Sequence, residues 1–393
     1  MNIPTLKQLI DDILADLQAG FGIIIPLIGK SFLRALAAVQ GAKLKLYYLT
    51  IARVQKNLFI DTADPESAGG TLERFGRVKL GRNPFNAIAG EYTVEVTGTI
   101  GATIKANTTF KSNDDSLNPG KLFVLDADKI LGAPTDTMTL RALEAGLDSK
   151  LSIDDLLTAT APIANVDKIT KALSEDVQPL AAEPIEDYRD KGIEAYQLEP
   201  QGGAASDYRL WSKDAQGVKQ AYSFAKSGDP GVIDLFIEAT IADSTDGKGT
   251  PSALILSDVE DVVEFDPDIS KPLEERGRRP LGVFQVNFLP IVVFTIDIEI
   301  TGFAGLTPTI EANINTTVTT FLADVRPFVA GADVLINKND ILSVNRLIVA
   351  VQNAILTENL FNTLTFDVNG SPGGASFQFL NGNIPFLGVI TFT

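Results

Sequence analysis

Carboxylates, lysines and tyrosines are the groups in this sequence that could carry acid–base catalysis, because the 393 residues include no histidine and no cysteine. A Ser-His-Asp triad, a thiol nucleophile and a zinc site with thiolate ligands are therefore excluded. Glycoside hydrolysis needs only two carboxyl groups in a cleft, one with a raised pKa, and stays open. Glu183, Glu186 and Asp187 are clustered, but acids are also favoured in the first turn of a helix. We interpret the cluster as such a turn and expect no catalytic residue.

Two further kinds of site are tested by their spacing. Asp243–Gly249, with the sequence DSTDGKG, is rich in oxygen ligands but lacks the ligand spacing of a calcium loop. The sequence around Lys213 and Lys219 does not fit a glycine-rich phosphate loop. We therefore expect no metal ion and no cofactor.

The net charge of −17 argues against nucleic acid as a partner, since nucleic-acid binding needs a basic surface. Ala19–Gly29 is the longest uncharged run near the start, and it is shorter than the about 17 residues that span a bilayer. No basic segment with a cleavage site precedes this run, so no signal peptide is predicted. We expect no membrane insertion, and a protein kept in the cytoplasm until it assembles.

Two helices are predicted before residue 57. In the first, over residues 1–20, apolar side chains recur at helical spacing and form a stripe, to which Leu6, Ile10, Ile13 and Leu17 belong. The second runs from Ser31 to Lys56. Either these helices pack on their own chain, or they form a bundle with other chains. We predict an assembly element, because a helix near about 12–15 residues is marginal alone and needs a packing partner.

Strands are predicted where apolar and polar residues alternate. Tyr92, Val94 and Val96 alternate with polar residues, as in a half-buried strand. Residues 137–160 are ambiguous, because propensity favours helices whereas alternation favours strands. The alternation leads us to predict strands there.

Helix starts are predicted from capping residues. Four such residues precede segments that read as helices: Ser206, Thr250, Thr307 and Asp340. The helix after Ser206 is predicted to end at Gly217.

The pattern after residue 217 repeats strand, strand and helix, over 218–263 and again over 281–326. The predicted fold class is α+β and multidomain, with N-terminal helices, a small β-domain and then mixed strand-strand-helix units. The predicted domains are an N-terminal helical region, a β-rich domain, a central α+β domain and a C-terminal α+β domain, over 1–86, 87–180, 181–280 and 281–393.

Three stretches carry a family resemblance. Residues 183–222 contain E-x-x-E-D-Y-R followed by G-G-A-A-S-D-Y-R. Residues 59–82 contain D-T-A, then L-x-R-x-G, then Gly81-Arg82. Residues 87–112 resemble a small β-domain that usually has Pro-Gly in a turn near the position of Asn107. Because asparagine tolerates the left-handed backbone, the turn can form here without glycine. In this order and spacing, the chain resembles the baseplate J-like family of contractile phage tails and related injection machines.

This resemblance implies a structural role without catalysis. The chain would be a baseplate wedge subunit that clamps neighbouring wedges around the central hub and transmits the trigger for sheath contraction. The implied partners are other wedge proteins, a second copy or related subunit, a sheath-initiating baseplate protein and the hub. The implied final location is the baseplate of the mature particle. A carboxylate-type peptidoglycan hydrolase of the tail and a receptor-binding tail protein stay as alternatives.

Two groups of residues are predicted to contact partners. One is the stripe of the first helix. The other consists of aromatic and arginine side chains in 183–222, the types enriched at interface hot spots: Tyr188, Arg189, Tyr208, Arg209 and Trp211. The alternative for the second group is burial in the core.

Overall fold

The computed structural model describes residues 3–22, 32–198, 202–355 and 360–393. It divides the chain into two compact units. The first consists of Met1–Pro84 with Pro184–Tyr196, and the second of Phe85–Glu183 with Gln197–Thr393. The architecture is α+β and multidomain, as predicted. The division into four domains is finer than these units and stays a prediction.

The first unit is helical. Its helices are α1 (Leu6–Phe21), α2 (Phe32–Lys56), α3 (Leu72–Leu80) and most of α4 (Ile185–Gln197). Thr5 caps α1: its hydroxyl accepts from the Gln8 N–H at 3.2 Å, and the Gln8 side chain accepts in turn from the Thr5 N–H. The predicted helices at 1–20 and from residue 31 onward are thus observed, although Ser31 lies outside the described residues.

The second unit begins with a barrel domain. Its strands are β1 (Glu91–Gly98), β2 (Thr103–Ile104), β3 (Thr109–Ser112), β4 (Leu122–Val124), β5 (Lys129–Ile130), β6 (Thr135–Ala142), β7 (Leu156–Ala159) and β8 (Val166–Val177). A closed antiparallel barrel forms in the order β1-β6-β4-β3-β7-β8, and β2 pairs with β5 beside it.

Alternation in the sequence explains the barrel core. Tyr92, Val94 and Val96 all point inward from β1 and are buried. The predicted strands within 137–160 are confirmed as parts of β6 and β7, because burial of one face decides over weak helix propensity. Asn107 has a φ of 64°, the left-handed backbone predicted for its turn.

The rest of the second unit alternates helices and sheets. Its elements are α5 (Ala205–Ser212), β9 (Val218–Ala225), β10 (Val232–Ala239), α6 (Ala253–Glu264), β11 (Gln285–Pro290), β12 (Val292–Thr301), α7 (Pro308–Ala323), β13 (Ile341–Ser343), α8 (Val344–Ala354), β14 (Thr363–Val368), β15 (Ser371–Pro372), β16 (Ser376–Gln378) and β17 (Asn383–Phe392). The larger sheets have the strand orders β11-β10-β9 and β15-β14-β12-β17. Strand-strand-helix therefore occurs twice, as predicted.

Three of the four predicted caps are wrong. Only the Thr307 hydroxyl accepts from the first turn that it precedes, at the N–H of Ile310. The helix α5 begins at Ala205, so Ser206 lies inside its first turn. The carboxylate of Asp207 reaches back instead and accepts from the N–H of Gly203 at 2.6 Å. The helix ends at Ser212 and not at Gly217.

The other two caps belong to serines that stand closer to their helices. Ser252, not Thr250, accepts from the N–H of Ile255 at the start of α6. Ser343, not Asp340, caps α8. Asp340 is buried and accepts instead from the side chain of Gln378 at 2.8 Å.

Candidate interaction surfaces and buried polar contacts

The predicted stripe on α1 is partly used within its own unit. Ile10 packs where α2 has a glycine: a Cβ on Gly41 would lie 2.9 Å from Ile10 Cγ1. The Lys45 ammonium donates to the carbonyl of Pro4 at 2.7 Å, which ties α2 to the start of α1. Ile13 and Leu17 are half-buried, and Leu6 is exposed. Packing on the own chain therefore accounts for much of the stripe.

Of the two N-terminal helices, α2 exposes more large apolar side chains than α1 does. We call this set of exposed large side chains the α2 apolar surface; it consists of Phe32, Val39, Leu44, Leu46, Tyr47, Leu49, Ile51 and Val54. The same helix carries arginine and lysine residues but no acid, in a chain of net charge −17. Large apolar side chains exposed on several sides of one helix are the sequence signal for a surface on which other proteins can pack.

Tyr188 and Arg189 join α4 to the rest of the first unit. Tyr188 is buried, and its hydroxyl donates to the carbonyl of Arg82 at 2.7 Å. The Arg189 guanidinium donates to the carbonyl of Ile60 at 2.7 Å and pairs with Glu186. Tyr188 therefore belongs to the core, which is the alternative that the sequence left open.

Two of the three stretches behind the family resemblance, 59–82 and 183–222, meet at Tyr188. Ala63 of the D-T-A segment and Leu72 of the L-x-R-x-G segment are buried in one cluster with Tyr188. Gly76, the glycine of the second segment, leaves the space that the Tyr188 ring fills. The spacing of these motifs thus reflects one packed core.

The second D-Y-R triplet is buried in the second unit. Tyr208 packs edge-on against Trp211 with ring centroids 5.2 Å apart, and burial raises the pKa of the Tyr208 hydroxyl to about 12. Trp211 itself is half-buried. Arg209 is buried and donates to Asp333 Oδ1 at 2.6 Å. Whether any of the nine predicted residues contacts another subunit stays a prediction.

A buried carboxylate that sequence reasoning missed lies on β10. Glu238 accepts from the Tyr222 hydroxyl at 2.6 Å, from the Arg326 guanidinium at 3.0 Å and from the Lys219 ammonium at 3.0 Å. Burial alone would raise the pKa of Glu238, but Arg326 and Lys219 hold it below its usual value. The signal was an acid near the end of a strand, V-I-D-L-F-I-E-A, in which Asp234 is the other polar residue.

The acids considered for catalysis are engaged in structure. Glu186 is exposed, and its hydrogen bond from Arg189 lowers its pKa, the opposite of what a general acid needs. Glu183 accepts from the N–H of Phe85 at 3.1 Å. The pKa of Asp258 is raised by partial burial and by the nearby charge of Asp261. Both residues lie on the exposed face of α6 and not in a cleft.

Within the ranges that the structure describes, no group of three or more acids is arranged to hold a metal ion. Within the same ranges, the helices lack the combination of length and apolar character that crossing a bilayer requires.

Comparison with known proteins identifies the barrel. Residues 93–176 match the family model described as the Baseplate J-like protein barrel domain. None of the curated proteins matches the chain. A solved structure titled "Cryo-EM structure of the anti-feeding prophage (AFP) baseplate, 6-fold symmetrised" aligns over 97% of both chains, with 11% identity and a TM-score of 0.41, too low to establish a shared fold. The resemblance predicted from the sequence is confirmed at the barrel, and this chain carries a baseplate J-like barrel domain.

Proposed function

We propose that this chain is a structural subunit of the baseplate of a contractile tail or injection machine, and that it is a wedge protein. The observation that carries the proposal is the closed barrel, whose residues 93–176 match the baseplate J-like barrel domain. The subunit would clamp neighbouring wedges around a central hub and transmit the trigger for sheath contraction. It would assemble in the cytoplasm and end in the baseplate of the particle.

The buried polar contacts support a mechanical role. A subunit passes on a displacement only if its parts move as rigid bodies between packed arrangements. Arg209 with Asp333, and Glu238 with Arg326, join residues that are 124 and 88 positions apart within the second unit. Breaking a buried pair typically costs about 3–5 kcal/mol, so such contacts favour movement of the unit as a whole.

The α2 apolar surface supports association with other chains. Large exposed apolar patches mark interaction sites on soluble proteins. The surface is basic as well as apolar, so an apolar helix with acidic flanks would suit it. We propose that a companion wedge protein or a related subunit supplies that helix. The sheath-initiating protein and the hub would contact other parts of the chain.

We also propose that the chain catalyses no reaction. The lowered pKa of Glu186 and the exposed position of Asp258 both disfavour a carboxylate pair in a cleft. The test is incubation of the purified protein with peptidoglycan. Release of soluble sugar by the wild type, with loss of that release in Glu186→Gln, would establish the hydrolase alternative.

The structural role is tested in the producing cell. Particles made without this chain are expected to lack a complete baseplate by electron microscopy, and plasmid-borne chain should restore it. Complete baseplates in its absence would refute the wedge role. A receptor-binding protein would instead leave the baseplate intact, and the isolated chain would bind target cells.

A further inference from the structure

The loop between α7 and β13 exposes three consecutive large apolar residues. Val334, Leu335 and Ile336 are 63%, 73% and 88% exposed. A run of this kind is costly in water and is retained where it has a function. We call the segment 326–340 the 326–340 loop. No motif in the sequence indicated a function for it.

This loop is held closed at its base. The N–H of Arg326 donates to the carbonyl of Asn339 at 3.0 Å, so the two ends meet. The Asn339 side chain donates to the carbonyl of Asp324 at 2.8 Å. Compact loops whose ends lie close together are frequently functional.

Asp333 fixes the segment that leads to the apolar residues. One carboxylate oxygen accepts from the N–H of Val329 at 2.7 Å, and the other accepts from the buried Arg209 at 2.6 Å. Val329 itself is buried. The apolar tip is therefore presented by a rigid base, which lowers the entropy cost of binding. Arg209 acts through Asp333 as a positioning residue.

Charge decides which kind of partner fits. The charged residues of the 326–340 loop are two basic and two acidic: Arg326, Asp333, Lys338 and Asp340. Lys338 pairs with Asp340 at 3.5 Å and lies over the ring of Phe328. The loop thus offers no net positive charge to an anionic bilayer, whereas membrane-binding segments carry clustered lysine and arginine. The chain's net charge of −17 opposes a bilayer and a second copy alike.

We propose that the tip of the 326–340 loop inserts Leu335 and Ile336 into an apolar pocket on a different protein subunit of the same particle, with a neutral or basic rim. This inference rests on the proposed function. In this proposal the buried Arg209 does not touch the partner. It helps the contact by holding Asp333, and so the base of the loop, in place.

The first experiment is photo-crosslinking in assembled particles. A benzophenone amino acid replaces Leu335 in the full chain, and the matched control replaces Val349, an exposed apolar residue on α8. Illumination of purified particles is expected to join position 335 to another subunit, identified by mass spectrometry, at more than tenfold the yield from position 349. A crosslink to a second copy of this chain, or equal yields at both positions, would overturn the proposal.

The second experiment separates the tip from its base. Leu335→Asp with Ile336→Asp is expected to weaken retention of the crosslinked subunit in particles by more than about 30-fold, the range of an interface hot spot. Asp333→Asn keeps the apolar tip, so it should raise amide exchange over 329–338 and weaken retention less. Val349→Asp should change neither. Unchanged retention of the other subunit in the double variant would overturn the proposal. So would binding of the isolated wild-type chain to phosphatidylserine vesicles, if the double variant abolished that binding.

The two levels of inference fail differently. If purified particles contain no copy of this chain, the proposed function is wrong, and the loop proposal is overturned with it. If particles contain the chain and form complete baseplates, but position 335 crosslinks no other subunit, only the loop proposal is wrong.

Discussion

Gly76 and Tyr188 occupy complementary volumes in the first unit: a Cβ on Gly76 would lie 2.1 Å from the Tyr188 hydroxyl oxygen. The hydroxyl must stay there to donate to the carbonyl of Arg82 at 2.7 Å. The glycine on α3 and the tyrosine on α4 therefore depend on each other, although 112 positions separate them in the sequence.

The first prediction tests this dependence. Gly76→Ala is expected to destabilise the first unit by about 1–3 kcal/mol, the usual cost of overpacking a core. The measurement is amide exchange of α3 and α4 in the full chain. Gly20→Ala is the matched control, because nothing lies within 4 Å of its Cβ position in α1. In the Tyr188→Ala background, which removes the hydroxyl and the ring carbons that the Cβ would meet at 2.1–2.5 Å, the added methyl should cost less, and an equal cost in both backgrounds would contradict the packing argument.

A second prediction concerns the buried carboxylate on β10. Glu238→Gln should destabilise the second unit by about 3 kcal/mol, the low end of the cost of breaking a buried pair, because the half-buried Arg326 would lose its counter-charge. Urea unfolding followed by the fluorescence of Trp211 measures this loss. Glu299→Gln on the exposed side of β12 is the control and should change stability little. A loss below 1 kcal/mol for Glu238→Gln would show that the contact is dispensable.

Acid sensitivity of the barrel gives a third prediction. The N–H of Gly132, with further hydrogen bonds from Lys129 and Thr137, lowers the pKa of Asp136 to about 2. Since this folded pKa lies below the unfolded value of 3.8, the unfolded state binds the proton first. The contribution of Asp136 to stability is therefore complete above about pH 4 and is lost as the pH falls toward 2.

Asp136→Asn should flatten that pH dependence. The variant is expected to be less stable than the wild type at pH 7 and closer to it at pH 2.5, by urea unfolding at each pH. A stability difference that stays constant between the two pH values would mean that the carboxylate charge contributes nothing.

The sequence predicted local features well, because local features depend on residues close together in the chain. Alternation in Tyr92, Val94 and Val96 was enough to predict β1, and the tolerance of asparagine for left-handed backbone was enough for the turn at Asn107. Contacts between distant residues were not predicted. Nothing near Arg209 in the sequence indicates Asp333, and no local rule pairs Glu238 with Arg326.

The caps show a second limit of sequence reasoning. Ser206 and Thr250 are suitable capping residues. Which residue caps the helix depends on which nearby side chain reaches the free N–H groups of the first turn. Asp207 reaches back to the N–H of Gly203, and Ser252 stands one turn before the N–H of Ile255. Such competition between neighbouring candidates is decided by the packing of the helix, which a single sequence does not display.

The fourth prediction concerns the two N-terminal helices. Residues 1–57 are expected to act as an assembly element, because α2 exposes large apolar side chains on several sides. In the isolated chain, protease should therefore remove this region readily. In assembled wedges a partner helix would cover it, and cleavage should slow by at least about tenfold, since a bound site is cleaved only from its open fraction.

Two variants make this prediction specific. Leu46→Asp and Val54→Asp change exposed residues of α2, so they should leave the isolated chain folded but prevent wedge formation, as measured by co-purification of the companion subunit. Val349→Asp on α8 is the control and should assemble normally. Deletion of residues 2–30 should likewise spare the barrel and abolish assembly. Equal protease sensitivity of the free and assembled chains would show instead that α1 and α2 serve only their own unit, because a covering partner must protect what it buries.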